Sequence, residues 1–328
     1  MRILVTGGAG FIGSHYVRTA LTGGYPALAG AAVTVVDSLR LTGDFGTLST
    51  VAGHPDLTLV PADICDAPLI DDVVAGQDMI VHFAAESHVD NSIADPARFV
   101  RTNVVGTQVL LDAARRHDVS RFVQVSTDEV YGSMPEGAWT EAAPCAPNSP
   151  YAATKAAADM LVLAAHRTYG LDAVVTRSVN TYGPYQYPEK IVPLFLANLL
   201  RGGTVPLYGD GGNIRQWLHV DDHCWAVETV RAGGVPGGIY HVGGSAELTN
   251  RELTAVLLEA CGAGPERIAM VADRPGHDRR YALDDTLIRQ ALGYAPRVGF
   301  ADGMASTVAW YRANRAWWEP FAPASRPS

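Results

Sequence analysis

Residues 2–15 read RILVTGGAGFIGSH, and this stretch decides the fold. The apolar run Arg2–Thr6 predicts a first β-strand, and the letters FIGSH predict a helix that begins directly after it. Between them lie Gly7, Gly10 and Gly13. In such a turn, the first glycine permits the tight bend, the second lets the backbone approach a ligand, and the third allows the helix to pack closely on the strand. The stretch therefore predicts the first strand–helix unit of a parallel sheet.

The first 180 residues repeat this alternation of short apolar runs and longer helical stretches. Runs such as MIVHFA are almost continuously apolar, which is typical of strands covered on both faces of a sheet. The pattern predicts an α/β fold with a Rossmann-type doubly wound parallel sheet. The further candidate strands are Val33–Asp37, Leu57–Pro61, Met79–Phe83, Phe122–Ser126 and Ala173–Arg177, and the candidate helices are Phe11–Thr22, Pro68–Val74, Phe99–Arg116 and Tyr151–Tyr169.

The glycine pattern predicts a dinucleotide site, because the helix N-terminus directs free N–H groups at a pyrophosphate. Asp37 ends the second candidate strand, 24 positions after Gly13. A carboxylate there accepts hydrogen bonds from the ribose hydroxyls and repels a 2′-phosphate, which favours NAD over NADP. Arg40 lies close by and leaves a phosphate contact open. Asp63 and Ile64 follow the third strand, where an acid can meet the adenine amine and an aliphatic chain can cover the ring.

Proline and glycine become frequent after about residue 180, in stretches such as YGPYQYPEK and GGVPGG. We therefore expect residues 1–180 to form the NAD-binding domain, with later segments crossing back to it. Residues 181–328 are expected to form mainly a smaller, mixed α/β substrate-binding part. The last six residues, PASRPS, are expected to be a frayed tail.

Tyr151 and Lys155 form a Y-x-x-x-K pattern at the start of an Ala-rich helix. This spacing places both side chains on one helix face. The lysine ammonium is expected to lower the pKa of the phenol from its usual value near 10, which would make Tyr151 a general base.

The stretch Ser126–Glu129 lies at the carboxyl end of the fifth candidate strand, where doubly wound folds place their ligands. Asp128 and Glu129 are adjacent like charges, so one of them is expected to be held protonated. Such a pair offers an acid and a base in one place.

The formal net charge of −9 argues against a nucleic-acid or anionic-membrane partner. No apolar run approaches the roughly 18 residues of a membrane span. The chain enters a strand pattern by Ile3, which leaves no room for a signal peptide, and the four cysteines are scattered, so a cytoplasmic location is expected. His219 and His223 have metal-ligand spacing without an evident third ligand, and no metal is expected.

With these motifs assembled, the chain resembles the extended short-chain dehydrogenase/reductase family, and within it the dTDP-glucose 4,6-dehydratases. Relatives that epimerise sugar nucleotides share the glycines, the tyrosine and the lysine but usually lack the aspartate of TDE, so Asp128 distinguishes the subfamily. The resemblance covers essentially the whole chain through TGGAGFIGS, ADICD, HFAAESHVDNSI, STDEVYG, YAATKAAAD, NTYGPYQYPEK, LYGDGGNIRQWLHVDDH, YHVGG and RPGHDRRYALD.

The resemblance implies a reaction that begins and ends with hydride transfer. Thr127 would hydrogen-bond the sugar 4-hydroxyl while Tyr151, supported by Lys155, removes its proton and NAD takes the C4 hydride. Glu129 would then abstract the C5 proton, and Asp128 would protonate the departing C6 hydroxyl. Return of the hydride to C6 gives the 4-keto-6-deoxy sugar.

Other positions are implied by the same resemblance. Phe11, Ile12, Ala85, Ser87, Thr102 and Ser126 would contact the cofactor, with Ser87 also at the sugar. The substrate would be held by Asn180, Lys190, Pro206, Tyr208, Arg215, Asn250, Arg274 and His277, with Pro206 and Tyr208 flanking the base. The family is typically dimeric through two helices, which here are the one that begins at Tyr151 and the one near Val104–Arg116.

The chain departs from the family pattern at Val179 and Thr181, where SNNYGP is usual, and around Leu41, where LTYAGN is usual. Two alternatives stay open at this point. A sugar-nucleotide 4-epimerase would not need the Asp128–Glu129 pair. A non-catalytic dinucleotide-sensing regulator would need neither that pair nor Tyr151 and Lys155.

Overall fold

The computed structural model describes residues 1–41 and 44–322. The predicted tail at residues 323–328 lies outside the described residues, as do Thr42 and Gly43 of the departure around Leu41. The strands of the described chain are β1 (Arg2–Thr6), β2 (Ala32–Asp37), β3 (Leu57–Pro61), β4 (Met79–His82), β5 (Arg121–Thr127), β6 (Ala173–Ser178), β7 (Asn180–Tyr182), β8 (Val205–Tyr208), β9 (Ile214–His219), β10 (Ile239–Val242), β11 (Ala246–Thr249) and β12 (Ile268–Val271).

The α-helices surround these strands, and short 3₁₀ turns and one π-helical segment, Val100–Val105, connect some of them. The α-helices are α1 (Phe11–Leu21), α2 (Ala67–Val74), α3 (Val89–Ala94), α4 (Pro96–Phe99), α5 (Gly106–Arg116), α6 (Pro150–Tyr169), α7 (Ile191–Leu200), α8 (Val220–Gly233), α9 (Asn250–Cys261), α10 (Thr286–Leu292), α11 (Phe300–Ala313) and α12 (Arg315–Trp318).

The main sheet has the strand order β10-β6-β5-β4-β1-β2-β3 in the described chain. Each neighbouring pair is parallel. Two apolar cores cover its faces, one holding Ile3 and Val123 and the other Leu4 and Phe122, so consecutive residues of one strand enter opposite cores. The predicted α/β fold with a doubly wound parallel sheet is confirmed. Its seventh strand, β10, comes from beyond residue 180.

Helix α6 holds Tyr151 and Lys155 in its first two turns, and local signals fix where it begins. The Ser149 hydroxyl accepts a hydrogen bond from the backbone N–H of Ala152, and Pro150 occupies the first helical position. Gly170, in the left-handed conformation, ends the helix. The face of α6 that carries Lys155 is thereby set against β5 and β6.

The remaining strands form a three-stranded sheet, β11-β9-β7, and a two-stranded sheet, β12-β8, among the described residues. A third apolar core lies beneath them. The C-terminal aromatic residues pack there as the sequence indicated, since Tyr311 and Trp318 are fully buried. No helix in the described part of the chain combines the length and the apolarity that a membrane crossing requires.

Candidate active site

The glycine-rich turn leaves no space for side chains at two of its three predicted glycines. A Cβ on Gly7, whose φ is +70°, would lie 2.5 Å from the backbone nitrogen of Ala84. A Cβ on Gly13 would lie 2.3 Å from the carbonyl oxygen of Gly7. Gly10 is the N-cap of α1 and, as a glycine, has no side chain to cap the helix. The turn is thus a bare backbone cradle at a helix N-terminus, with Phe11 and Ile12 in the first turn of the helix.

Asp37 at the end of β2 points at this turn. One carboxylate oxygen accepts the N–H of Ala9 at 3.0 Å, and the other accepts the N–H of Leu39 at 2.9 Å. Burial raises the pKa of Asp37, while these backbone hydrogen bonds lower it. Arg40 lies 2.7 Å from an oxygen of Asp63 and 3.8 Å from one of Glu86, so its charge is already balanced by two carboxylates.

The π-helical segment Val100–Val105 carries the predicted cofactor residue Thr102. The Thr102 hydroxyl oxygen is buried and has no hydrogen-bond partner within the described residues. Its neighbour Asn103 ties the segment down, because its amide bonds the backbone of Glu86 and the Thr154 hydroxyl on α6. Ala85 and Ser87 flank Glu86 in the loop after β4. Ile64 is buried after β3 and would meet a side chain added at Gly106.

Tyr151 and Lys155 are both buried beside the end of β5. The Lys155 ammonium donates to the carbonyl of Val125 at 2.7 Å, and burial lowers its pKa to about 8. The pKa of Tyr151 is raised in this structure and not brought towards neutrality as expected. Burial, and then the Glu129 charge, raise that pKa above its ordinary value, against a hydrogen bond with Thr127.

Asp128 is buried and adjoins both Thr127 and Glu129. One of its carboxyl oxygens accepts the Thr127 hydroxyl at 3.2 Å, and the other has no partner among the described residues. Burial, and then the charge of Glu129, raise the pKa of Asp128 to about 8. Burial also raises the pKa of Glu129, while Lys190 and Arg215 oppose that rise. Asp128 is therefore the member of the pair that is protonated at neutral pH, as expected for one of two adjacent acids.

Three cations from separate elements face this acidic pair. Lys190, which precedes α7, donates to the carbonyl of Ser87 at 2.5 Å. Arg215 of β9 is buried, donates to the carbonyl of Asp278 at 2.9 Å and covers the Tyr281 ring at 4.2 Å. Arg274 bonds Asp90 at 3.2 Å, and its Nε is buried without a partner in the described chain. Cations in this number suit a diphosphate.

The other predicted substrate residues line the same region from the C-terminal part. Pro206 and Tyr208 alternate with the buried Val205 and Leu207 along β8, so they share one face. The Tyr208 ring meets His277 edge to face, with centroids 6.2 Å apart. Asn180 begins β7, and Asn250 begins α9, where its backbone bonds Asn213 at 2.8 Å.

Sequence reasoning missed two carboxylates that organise these groups. Asp90 joins two predicted substrate residues, since it accepts hydrogen bonds from both Arg274 and Tyr208. Asp278 accepts from the side chain of Asn148, and its carbonyl holds Arg215. Both lie inside motifs that carry the family resemblance, HVDNSI and RPGHDRRY, but adjacency in sequence does not reveal their partners.

Local contacts surround two of the departures, Val179 and Thr181, and the histidine pair. Val179 is buried, and the Thr181 hydroxyl lies 2.7 Å from Nδ1 of His223, so it faces α8. His219 is the N-cap of α8 and accepts the N–H of Asp221 at 3.4 Å. Within the described residues, no group of three His, Cys, Asp or Glu side chains is arranged to hold a metal ion.

Comparisons with known proteins agree with this geometry. The family model described as GDP-mannose 4,6 dehydratase matches residues 4–307. The dTDP-glucose 4,6-dehydratase of Streptomyces niveus is 61% identical over 98% of this chain and 95% of its own. The crystal structure of DesIV, a dTDP-glucose 4,6-dehydratase from Streptomyces venezuelae with NAD and dTDP bound, is 58% identical with a TM-score of 0.97, over 98% of this chain and 100% of that one. The UDP-glucose 4-epimerase of Thermotoga maritima is more distant, at 31% identity and a TM-score of 0.88 over 96% of this chain and 100% of its own. The chain belongs to the dTDP-glucose 4,6-dehydratase family of extended short-chain dehydrogenases/reductases.

Proposed function

We propose that this protein is an NAD-dependent dehydratase that converts dTDP-glucose to its 4-keto-6-deoxy derivative. The observation that carries the proposal is the Asp128–Glu129 pair beside Tyr151, in which the buried Asp128 keeps its proton to a pH of about 8. A protonated carboxyl next to an ionised one supplies the acid and the base that water elimination requires.

The residues around the glycine-rich turn fit NAD. The backbone cradle formed by Gly7, Gly10 and Gly13 would hold the pyrophosphate, and Asp37 would hold the adenosine ribose. Thr102, whose buried hydroxyl lacks a partner in the described chain, would bond the cofactor toward its nicotinamide end. NAD supplies the acceptor for the C4 hydride, its donor at C6 and, when oxidised, a positive ring that favours a phenolate nearby. Asp63, Ile64, Ala85, Ser87 and Ser126 complete the proposed contacts.

One set of side chains serves oxidation at C4, and a second set serves the elimination of water. Thr127 orients the sugar 4-hydroxyl, and Tyr151 takes its proton while Lys155 stabilises the phenolate. Once C4 is a ketone, the C5 proton is acidic and Glu129 removes it. Asp128 then gives its proton to the C6 hydroxyl, which leaves as water.

The substrate's diphosphate and nucleoside would lie against the later part of the chain. Lys190, Arg215 and Arg274 supply the positive charge that a diphosphate needs. Tyr208 and Pro206 present one face of β8 to the base, and Asn180, Asn250 and His277 complete the proposed contacts. We accordingly propose residues 1–180, with β10, as the NAD-binding domain and residues 181–328 as mainly the nucleotide-sugar-binding domain.

A 4-epimerase remains the nearest competing function, because the distant epimerase shares the fold. An epimerase oxidises and reduces the same carbon and has no step for a protonated carboxyl at C6. A dinucleotide sensor has no step for either set of residues. The buried acidic pair therefore favours dehydration over both.

An isotope experiment tests the proposed reaction. Substrate deuterated at C4 should give a 4-keto-6-deoxy product that carries the deuterium at C6, transferred within one molecule. In heavy water, solvent deuterium should appear at C5, because Glu129 or a water bound to it delivers that proton. Mass spectrometry and NMR of the product read both positions. Label returned to C4 with inverted stereochemistry would identify an epimerase, and label lost to external NADH would identify an ordinary dehydrogenase.

The cofactor preference follows from the two charges at the adenosine end. Protein purified without added nucleotide should release mostly NAD on denaturation, since Asp37 repels a 2′-phosphate and Arg40 is paired with Asp63 and Glu86. Chromatography of the released nucleotide measures the ratio. A preponderance of NADP would overturn the assignment of Asp37 and direct attention to Arg40.

We also propose that the protein is a homodimer, assembled through a helix bundle of α5 and α6. Two observations support it: Met160 on α6 is 57% exposed, and the apolar Val105, at the start of α5, is 48% exposed. Ala153, Ala157 and Ala164 continue the outward-facing stripe of α6 at helical spacing. Small residues in such a stripe let a second helix approach closely.

A charge in this stripe should separate the subunits. Met160→Glu places an ionised carboxylate in an apolar contact, where it costs several kcal/mol unless paired. Light scattering should show a wild-type dimer and a largely monomeric variant. Met270→Glu is the matched control, because Met270 is 54% exposed and lies on β12, outside the two helices of the proposed interface. A dimeric Met160→Glu protein would contradict the proposed interface.

The cellular location remains a proposal as well. We place the protein in the cytoplasm because the four cysteines are free thiols, which suits a reducing compartment. NAD and nucleotide sugars as partners are consistent with that compartment, and the proposal includes no nucleic-acid or membrane partner.

A further inference from the structure

Behind Lys155 lies a buried polar network that the proposed chemistry does not use. Asp159 is one helical turn beyond Lys155 on α6 and is fully buried. One of its carboxylate oxygens accepts the Ser126 hydroxyl at 3.0 Å and Nε of Arg177 at 2.9 Å. The other oxygen is buried and has no hydrogen-bond partner in the described chain. Residues four apart share a helix face, so Asp159 and Lys155 lie on one face of α6, although their charged groups form no direct ion pair in the described chain.

The far side of the network fixes the position of Arg177. Its Nη1 donates to the Tyr131 hydroxyl at 2.6 Å, and that hydroxyl lies 2.6 Å from Nε2 of His241. Nδ1 of His241 lies 3.0 Å from the carbonyl of Asp284, which can only accept. Nδ1 therefore carries the proton, and Nε2 accepts from Tyr131. Burial lowers the pKa of His241 to about 4, so the ring is neutral. Each hydrogen bond from Arg177 through Tyr131 and His241 to the Asp284 carbonyl therefore has a fixed donor and a fixed acceptor.

The charges around Lys155 and Asp159 come from several elements. Arg177 on β6 forms an ion pair with Asp159. The charge of Asp159 raises the pKa of Tyr151 on α6 and of Cys145 in the preceding loop. On β4, His82 faces Lys155 and is neutral, because burial lowers its pKa to about 3. Asp159 is thus the anion that acts on Lys155, whereas Arg177 acts on Asp159.

We propose that Asp159 is a positioning residue for the reaction: its carboxylate, held by Ser126 and Arg177, is the counter-ion that keeps the buried Lys155 ammonium charged beside Tyr151. Burial raises the pKa of Asp159, and the Arg177 charge opposes that rise, while the hydrogen bonds through Tyr131 and His241 fix Arg177. The inference rests on the proposed function, since it concerns the lysine that supports Tyr151. It adds a residue that acts on the reaction through the charge of Lys155 and has no proposed contact with the substrate.

The test is the pH dependence of kcat/KM for 4-keto-6-deoxy product formation by NAD-saturated protein. Lys155 works in its protonated form, so loss of its counter-ion lowers the pH at which activity declines. Asp159→Asn should therefore move the alkaline limb down by about 1–3 pH units, the range expected for one close opposite charge. Asp222→Asn is the matched control, because Asp222 on α8 is buried like Asp159 and accepts the backbone N–H groups of Arg297 and Val298. The Asp222→Asn variant should keep the alkaline limb at the same pH as in the wild-type protein.

A second pair of variants shows whether the effect passes through Lys155. An arginine side chain stays protonated, so Asp159→Asn made on Lys155→Arg should leave the limb of Lys155→Arg unchanged. A shift that persists there would overturn the proposal, as would an unshifted limb in Asp159→Asn alone. If Asp159→Asn does not fold, Asp159→Asn with Arg177→Gln also removes the arginine that loss of the carboxylate would leave unpaired. This double variant should also show a downward shift.

The outcomes separate this inference from the proposed function. A wild-type protein that forms no 4-keto-6-deoxy product contradicts the function itself. A wild-type protein that forms it, with an Asp159→Asn profile that coincides with its own, contradicts only the role of Asp159.

Discussion

Asp128→Asn is expected to slow formation of the 4-keto-6-deoxy product by about 10²–10⁴-fold, the contribution of one general acid–base group. The substitution keeps the shape of the side chain and its acceptor for the Thr127 hydroxyl. It removes the proton that Asp128 otherwise holds up to a pH of about 8. No acid then protonates the departing C6 hydroxyl, whereas oxidation at C4, for which Tyr151 is the base, is left in place. Bound NADH should therefore accumulate when substrate is added.

Near-ultraviolet absorbance measures that NADH, and alkali treatment of the mixture measures the product. Asp222→Asn, also a buried isosteric change, should retain turnover and show no accumulated NADH. The wild-type rate should fall as the pH rises through about 8, because Asp128 and Lys155 both work in their protonated forms and both lose the proton there. Unimpaired turnover of Asp128→Asn would remove Asp128 from the mechanism.

Sequence predicts the sheet of this protein well because each strand is a local apolar run bounded by turn residues. Strands β1 and β3 have the predicted ends, and β2, β4, β5 and β6 differ by one or two residues. Strand β10 was not among the candidates, since it contributes only four residues, between glycines. Its place depends on pairing with β6, a contact that local pattern does not contain.

The helix predicted for Phe99–Arg116 shows a second limit. The apolar period continues through this stretch, but the backbone passes from α4 through a π-helical segment to α5. The wider turn there carries Thr102, whose buried hydroxyl has no partner in the described chain, and Asn103, which bonds Thr154 on α6. Such segments occur often at functional sites, and their cause is tertiary rather than local.

The chemistry of the site was predictable where residues lie at strand ends, as Thr127, Asp128 and Glu129 do. It was not predictable where partners are distant in sequence, as for Asp90 with Arg274. The pKa of Tyr151 illustrates the same limit. Spacing correctly placed Lys155 on its helix face, but burial, which depends on the whole fold, sets the direction of the shift.

Tyr151→Phe is expected to reduce product formation by about 10²–10⁴-fold as well, but at an earlier step. Without the phenol, no group takes the proton of the 4-hydroxyl, so the C4 ketone does not form. No NADH should accumulate in this variant, in contrast to Asp128→Asn. Tyr294→Phe is the matched control, because Tyr294 is a buried tyrosine whose hydroxyl bonds a backbone carbonyl outside the site.

The double variant Tyr151→Phe with Asp128→Asn shows whether oxidation at C4 precedes the elimination of water. Elimination acts on a ketone that only the Tyr151 step produces, so the double variant should behave as Tyr151→Phe alone and accumulate no NADH. Its product rate should fall well short of the combined loss of the two single variants, since groups that serve one sequence of steps are not additive. NADH accumulation in the double variant would show that another group removes the 4-hydroxyl proton, because Tyr151 would then be dispensable for oxidation at C4.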